Sequence, residues 1–234
     1  DNDCRRLAAI APGAHISWIP TGVDIDYFTP SAAQERPAHL VFSGSMDWHP
    51  NEDAVRYFID EILPSIRLEI PHVTFSIVGR NPSAELQAAA AAAGVEVTGT
   101  LDDIRPAIGQ ASLCVVPLRA GSGTRLKIFE ALAMGKAVVS TTLGAEGLAM
   151  EPGRHFVPAD GARAFAEAVV ALLRDDTRRR AIAAAGRTLV EERYSWAQVA
   201  LPFERHCQSA ADGYDSIRTA TRRHPDLSPV RSTR

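Results

Sequence analysis

The sequence has 234 residues, 46% hydrophobic and 23% charged. That is the balance of a soluble chain with one good core, and it excludes a disordered chain, a collagen-like fibre and a small disulfide-stapled scaffold. Its 25 basic and 28 acidic residues leave a net charge of −3, so no broad cationic surface for nucleic acid is implied. Cys4, Cys114 and Cys207 are far apart; they make neither a disulfide framework nor a zinc pattern and point to a reducing compartment. The apolar runs are too short to span a bilayer, and the start carries no signal-peptide pattern. Asp1 is not an initiator, so the sequence reads as part of a longer or processed chain.

Residues 16–19 read as a short strand, 20–24 as a turn and 30–37 as a polar linker. A regular alternation then begins. A buried-type strand is expected over 39–43, followed by Gly44 and a loop. A helix follows from about Asn51, with Val55, Phe58, Ile59 and Ile62 at helical spacing and breaks at Pro64 and Pro71. Strands are expected over 73–78, 95–97, 113–116, 137–140 and weakly at 156–157. Helices are expected over 83–93, stopped by Gly94, over 102–109, and after a loop within 121–134. Residues 161–193 should form two helices meeting near Asp175, and a last helix should begin near Ser195 and kink at Pro202. From about Ser209 the chain turns to Arg, Pro, Ser and Thr and reads as a solvated, disordered tail; its arginines lack aromatic partners for nucleic acid.

Strands alternating with helices define an α/β class with a parallel sheet, and short strands apolar on both faces call for helices on both faces. In such a sheet ligands bind beyond the carboxyl ends of the strands. The segments to inspect are therefore Gly44-Ser45-Met46-Asp47, Gly79-Arg80-Asn81, Gly99-Thr100-Leu101 and residues 117–127. The last joins a strand to a helix and is the richest. Gly121 and Gly123 let backbone approach a ligand, and Thr124 can cap the helix or donate its hydroxyl. The helix start suits an anion, and Arg125 and Lys127 add two charges. The chain has only two lysines, Lys127 and Lys136, against 23 arginines, which marks Lys127. Glu130 lies three residues on, within an otherwise apolar run. Two readings stand: Lys127 and Glu130 pair with each other, or Lys127 faces phosphates while Glu130 accepts a sugar diol.

Other patterns are absent. Gly135-Lys136-Ala137 lacks the remainder of a P-loop, no Gly-x-Gly-x-x-Gly follows the first strand, and the seven histidines show no metal spacing. His49, in the loop after that strand, is read as a plain loop histidine.

The run from Gly121 to Thr141, GSGTRLKIFEALAMGKAVVST, resembles the donor-site segment of family 4 retaining glycosyltransferases with the GT-B fold. Residues 19–30, IPTGVDIDYFTP, resemble the strand and hinge joining their two Rossmann-like domains, and Tyr194-Ser195-Trp196 resembles the start of their closing helix. The resemblance covers roughly residues 16 to 205 in order. It implies the C-terminal, donor-binding half of a GT-B fold. Residues 1–30 would be the end of the N-terminal domain and the hinge, 31–193 the Rossmann-like domain, 194–208 the crossover helix and 209–234 the tail.

By this resemblance the diphosphate of a nucleotide sugar (UDP- or GDP-sugar) meets the amides of Gly123 and Thr124, with Arg125 and Lys127 stabilising the leaving group and Gly121 and Ser122 also bordering the donor. Glu130 matches the second glutamate of the family's pair and holds the ribose, while Ser122 stands where the first belongs. Gly44, Ser45 and Arg80 border the donor, and the base lies by Thr100 and Leu101. Loop 44–48 lacks the basic residues many members carry, so Arg125 and Lys127 supply that charge. The resemblance implies retention of configuration, no metal and no other cofactor, and a glycan or lipid-linked acceptor bound through a missing N-terminal domain. It also implies a cytoplasmic protein at the inner face of the membrane, peripherally associated when full length, in polysaccharide assembly. A nucleotide-sugar epimerase of the same fold and a non-catalytic nucleotide-binding module are the alternatives. This chain alone should bind donor weakly and transfer no sugar.

Overall fold

The structure, a computed structural model, describes residues 2–14, 16–30, 34–121 and 123–222. Its centre is a set of short apolar strands: β1 (His39–Ser43), β2 (Thr74–Val78), β3 (Glu96–Val97), β4 (Leu113–Val116), β5 (Val138–Ser140) and β6 (Val157–Pro158). Successive residues of β1 point to opposite faces, yet Leu40, Val41 and Phe42 are all buried. Both faces are therefore covered, as a parallel sheet requires. The strands pair in parallel in the order β3-β2-β1-β4-β5-β6, with Leu40 opposite Phe75 on one side and Leu113 on the other. The chain builds outward from β1 to β3, then crosses back to lay β4 on the other side of β1. The switch in direction falls between β1 and β4, where such sheets leave a crevice.

The helices are α1 (Asn2–Ile10), α2 (His49–Tyr57), α3 (Leu63–Glu69), α4 (Ala84–Ala92), α5 (Arg105–Gly109), α6 (Leu126–Ala133), α7 (Ala162–Arg174), α8 (Asp176–Arg193) and α9 (Trp196–Arg222). Local chemistry sets several ends. Ser83 Oγ caps α4 by accepting from the Leu86 amide at 3.0 Å, and Gly94 follows that helix at φ 62°. Asp175 separates α7 from α8 and caps the latter through the Arg178 amide at 2.8 Å.

Three expectations are corrected, and one element is added. Pro64 does not break the first long helix. A π-helical turn, Phe58–Ile62, joins α2 to α3, and the Leu63 amide reaches back to the Phe58 carbonyl. The wider turn takes up a proline that lacks an N–H and crowds the preceding turn. Residues 16–19 join no sheet; Pro20 cannot donate, and Val23 instead bridges to Ser195, its amide bonding the Tyr194 carbonyl at 2.7 Å. Residues 2–10, given no element from sequence, are helical. Finally, α9 passes Ser209 and continues to Arg222, with Pro202 inside it. No proline interrupts residues 203–222, so the backbone there can keep its helical bonds. Positions 223–234 of the expected tail lie outside the described residues.

Segment 23–30 is tied to the domain by two arginines. Arg187 of α8 donates to the Phe28 carbonyl at 2.9 Å and to the Ala133 carbonyl at the end of α6. Arg105 donates to the Tyr27 carbonyl at 3.1 Å and lies 3.8 Å from its ring centroid.

At the carboxyl edge, the β1 and β2 ends pack backbone against backbone at Gly44 and Gly79. The Gly44 amide donates to the Val78 carbonyl at 2.9 Å, and a Cβ added at Gly79 would lie 1.7 Å from the Gly44 carbonyl oxygen. No rotamer relieves a clash with backbone. Gly79→Ala should therefore lose about 1–3 kcal/mol of stability in urea unfolding; wild-type stability in this variant would contradict the packing described.

Candidate active site

A cleft of about 490 Å³ opens beyond the ends of β1, β2 and β4. Of the residues anticipated from sequence, Gly44, Ser45, Arg80, Thr100, Leu101, Thr124, Arg125, Lys127 and Glu130 line it. Gly121 and Gly123 belong to the loop leading to α6, at φ 112° and 104°, without lining the cleft. Ser122 lies outside the described residues.

The wall after β1 and β2 is a polar lattice. Arg80 Nε donates to Ser45 Oγ at 2.8 Å, Ser45 Oγ donates to Asp47 at 2.5 Å, and Asn81 donates to Asp47 at 3.0 Å. The hydrogen bonds from Ser45 and Asn81 hold the Asp47 carboxyl below its ordinary range. Asn81 takes φ 55°, which its short polar side chain tolerates, and the Met46 amide bonds the Arg80 carbonyl at 2.9 Å. Ser45 and Arg80 are thus braced against each other before any ligand arrives.

The opposite wall is the loop into α6. Arg125 occupies the cap position and no side chain caps the helix. The capping role open to Thr124 is therefore not taken; Thr124 faces the cleft, the Ile128 amide bonds the Arg125 carbonyl at 3.0 Å, and the Leu126 and Lys127 amides are left to a ligand. Arg125 is only 7% exposed. Its Nη2 donates to the carbonyls of Gly121 at 3.2 Å and Leu143 at 3.0 Å, while its buried Nε has no partner among the described residues. Much of its hydrogen-bonding capacity holds the loop in place.

Lys127 is held from two sides. Its Nζ donates to Asn51 Oδ1 at 2.5 Å and lies 4.5 Å from the centre of the Phe42 ring. Burial, opposed by Glu130 and reinforced by Arg125, lowers its pKa to about 8. Burial raises the Glu130 carboxyl, against the pull of Lys127. Among the described residues the Glu130 carboxylate makes no hydrogen bond and no ion pair, including none to Lys127, although its backbone carbonyl accepts from the Met134 amide. The two share a helix side, but the direct pairing that sequence left open is not formed. A cation held by a neutral amide and a half-buried carboxylate without a partner leave both charges for a ligand.

Asn51 and Trp48 are among the lining residues that sequence did not assign to the site. Asn51 is buried on α2 and its Nδ2 donates to the Ser45 carbonyl at 2.8 Å. It stands four residues before Val55, a polar residue on the core-facing stripe, and that was its signal. Trp48, 52% exposed, stands at the cleft mouth. His49 opens α2 and does not line the cleft.

A Rossmann-like parallel sheet with a cationic cleft at its switch point defines the class: an α/β domain whose site suits an anionic ligand with a polar head. The chain belongs to the group 1 glycosyl transferases, whose family profile matches residues 37–175. A phosphatidyl-myo-inositol mannosyltransferase of Mycobacterium tuberculosis (strain CDC 1551 / Oshkosh) is 30% identical over 231 residues, 93% of this chain and 60% of that protein. A GDP-mannose-dependent alpha-(1-6)-phosphatidylinositol monomannoside mannosyltransferase of the same strain is 29% identical over 218 residues, 82% of this chain and 55% of that protein. The chain thus spans roughly three-fifths of the curated relatives it matches. Among solved structures, sucrose-phosphate synthase from Thermosynechococcus elongatus superposes with a TM-score of 0.73 at 21% identity, covering 91% of this chain and 57% of that one. Anabaena HepE in complex with UDP and glucose superposes at 0.68 with 16% identity, covering 87% and 60%. These likenesses establish a GT-B-type fold.

Holding Lys127 charged in this setting costs stability, and the sign of the pH effect follows. The unfolded lysine binds its proton up to about 10.5 and the folded one only to about 8. Between those values the unfolded state carries more protons, so folding stability rises with pH. Relative to Lys127→Met, the wild type should gain about 3 kcal/mol from about pH 8 to about pH 10.5, read by urea unfolding. Parallel pH profiles for the two proteins would show that the ammonium is not buried.

Proposed function

We propose that this chain is the donor-binding half of a retaining, family 4 glycosyltransferase. It binds a nucleoside-diphosphate sugar and presents the sugar to a glycan or lipid-linked acceptor held by a second Rossmann-like domain. The observation that carries this reading is the pair on one side of α6, Lys127 and Glu130, both facing the switch-point cleft and not paired with each other.

The chemistry follows from the charges. When the glycosyl–phosphate bond breaks, negative charge builds on the departing diphosphate. Lys127 and the uncapped amides of α6 are fixed donors for that charge, with Arg125 holding the loop. Their positions are set in advance, so little reorganisation is needed as charge develops. Glu130 can take one ribose hydroxyl on each carboxylate oxygen. The base would lie toward Thr100 and Leu101, and the phosphates between Gly44, Ser45 and Lys127. The mannosyltransferase relatives make GDP the first nucleotide to test, with UDP as the comparison. A place at the cytoplasmic face of a membrane is part of the proposal, supported by relatives named for phosphatidylinositol substrates. No helix among the described residues is long and apolar enough to cross a bilayer.

Calorimetry tests both assignments together. Each charge-assisted contact contributes about 1.5–3 kcal/mol, roughly ten- to a hundredfold in affinity. Lys127→Ala should weaken GDP by that factor and leave guanosine nearly unchanged. Glu130→Gln should weaken a ribonucleotide more than its 2′-deoxy counterpart. Equal losses for nucleotide and nucleoside, or for ribose and deoxyribose, would overturn the respective assignment.

Transfer requires donor and acceptor in contact with water largely excluded, and the chain contains one Rossmann-like domain. By itself it should bind nucleotide and transfer nothing from labelled GDP- or UDP-sugars to lipid or glycan acceptors. Robust transfer by this chain alone would contradict the two-domain reading.

A further inference from the structure

The geometry points to Asn51 as the positioning residue of the site: through one carboxamide it holds the Lys127 ammonium in place and clamps the Gly44-Ser45 loop to it. This inference rests on the phosphate role proposed for Lys127.

Asn51 sits in the first turn of α2, behind Trp48 and Pro50, and is itself buried. Its two polar ends serve two different walls of the cleft. Oδ1 accepts from Lys127 Nζ at 2.5 Å, and Nδ2 donates to the Ser45 backbone carbonyl at 2.8 Å. The second bond fixes the orientation of the amide: the nitrogen must face the carbonyl, so the oxygen faces the ammonium. The packing is close on all sides. A Cβ added at Gly44 would come within 2.8 Å of Asn51 Nδ2 and 3.0 Å of Lys127 Nζ. The loop after β1 and the start of α2, which follows it directly, therefore meet the first turn of α6, 76 residues on, at one carboxamide.

A neutral acceptor is well matched to this task. A buried ammonium needs a partner, since leaving it bare is costly. A carboxylate at position 51 would supply one, but it would also neutralise the charge intended for a diphosphate and repel that ligand. An amide oxygen stabilises the cation and leaves its charge to act. The other charged groups around Lys127 are Glu130 and Arg125 on its own segment and Arg80 from the loop after β2, with Asp47 beyond Ser45. The face of Phe42 from β1 completes the cage. Among the described residues only Asn51 hydrogen-bonds the Lys127 side chain.

The test is a pH profile of nucleotide binding. GDP and guanosine are titrated into wild type, Asn51→Leu and Asn51→Asp between about pH 7 and about pH 9.5, where the diphosphate itself stays ionised. Wild-type GDP affinity should begin to fall as pH passes about 8. Asn51→Leu removes the acceptor, so its fall should begin at lower pH. On that limb GDP affinity should drop about tenfold for each pH unit by which the onset moves, with guanosine affinity little changed. Asn51→Asp should move the onset to higher pH while binding GDP more weakly below it. The Asp variant retains polarity and size, so it reports even where the Leu variant unfolds. Onsets that stay at the wild-type pH in the folded variants, or equal losses for GDP and guanosine, would overturn the inference. A wild type that binds guanosine as well as GDP would instead sink the phosphate reading on which it rests.

Discussion

One buried ammonium organises the carboxyl end of this sheet. Lys127 is held where water does not reach it freely, with an aromatic face below, a single amide oxygen beside it and a carboxylate on its own helix that does not close on it. Left in that state the charge is expensive, because burial favours the neutral form. The surrounding sequence accepts the cost: Gly44 has no side chain that could push against it, and Asn51 forgoes water to face it. A protein that only needed a stable core would do better with an apolar residue there. A partly desolvated charge of this kind, where a parallel sheet opens, is what the proposed anion site needs.

The remaining architecture serves that point. The crossover from β3 to β4 creates the crevice, and Gly79 brings the ends of β1 and β2 together closely enough to wall it. Arg125 is spent largely on the Gly121 and Leu143 carbonyls, which sets the loop from which α6 springs. Arg187 and Arg105 tie segment 23–30 to the same body. Two cations two residues apart thus divide the labour: Arg125 holds backbone, and Lys127 turns its charge to the cleft.

The sheet was legible in the sequence because buried parallel strands are short runs of branched and aromatic residues between glycines. β1 and β4 fall where those runs predict. The first long helix was legible as a helix, but its passage through Pro64 was not, since the wider turn that takes up the proline leaves no mark in the spacing of Phe58, Ile59 and Ile62. The end of α9 was misread because arginine, serine and threonine are compatible with both a helix and a coil. In the site, Lys127 and Glu130 stood out through rarity and an incongruous charge within an apolar run. That they do not pair is a matter of rotamers and of Asn51, which is 76 residues away from Lys127. A partner so distant leaves only one local trace, a polar residue on a stripe otherwise given to the core.

The most direct measurement is a crystal structure of this chain with a bound nucleoside diphosphate. Phosphate oxygens within hydrogen-bond reach of Lys127 Nζ and of the first amides of α6, with the ribose hydroxyls on Glu130, are the expected result. A nucleotide seated elsewhere, with Lys127 still bonded to Asn51 and no phosphate near it, would contradict the assignment of this cleft.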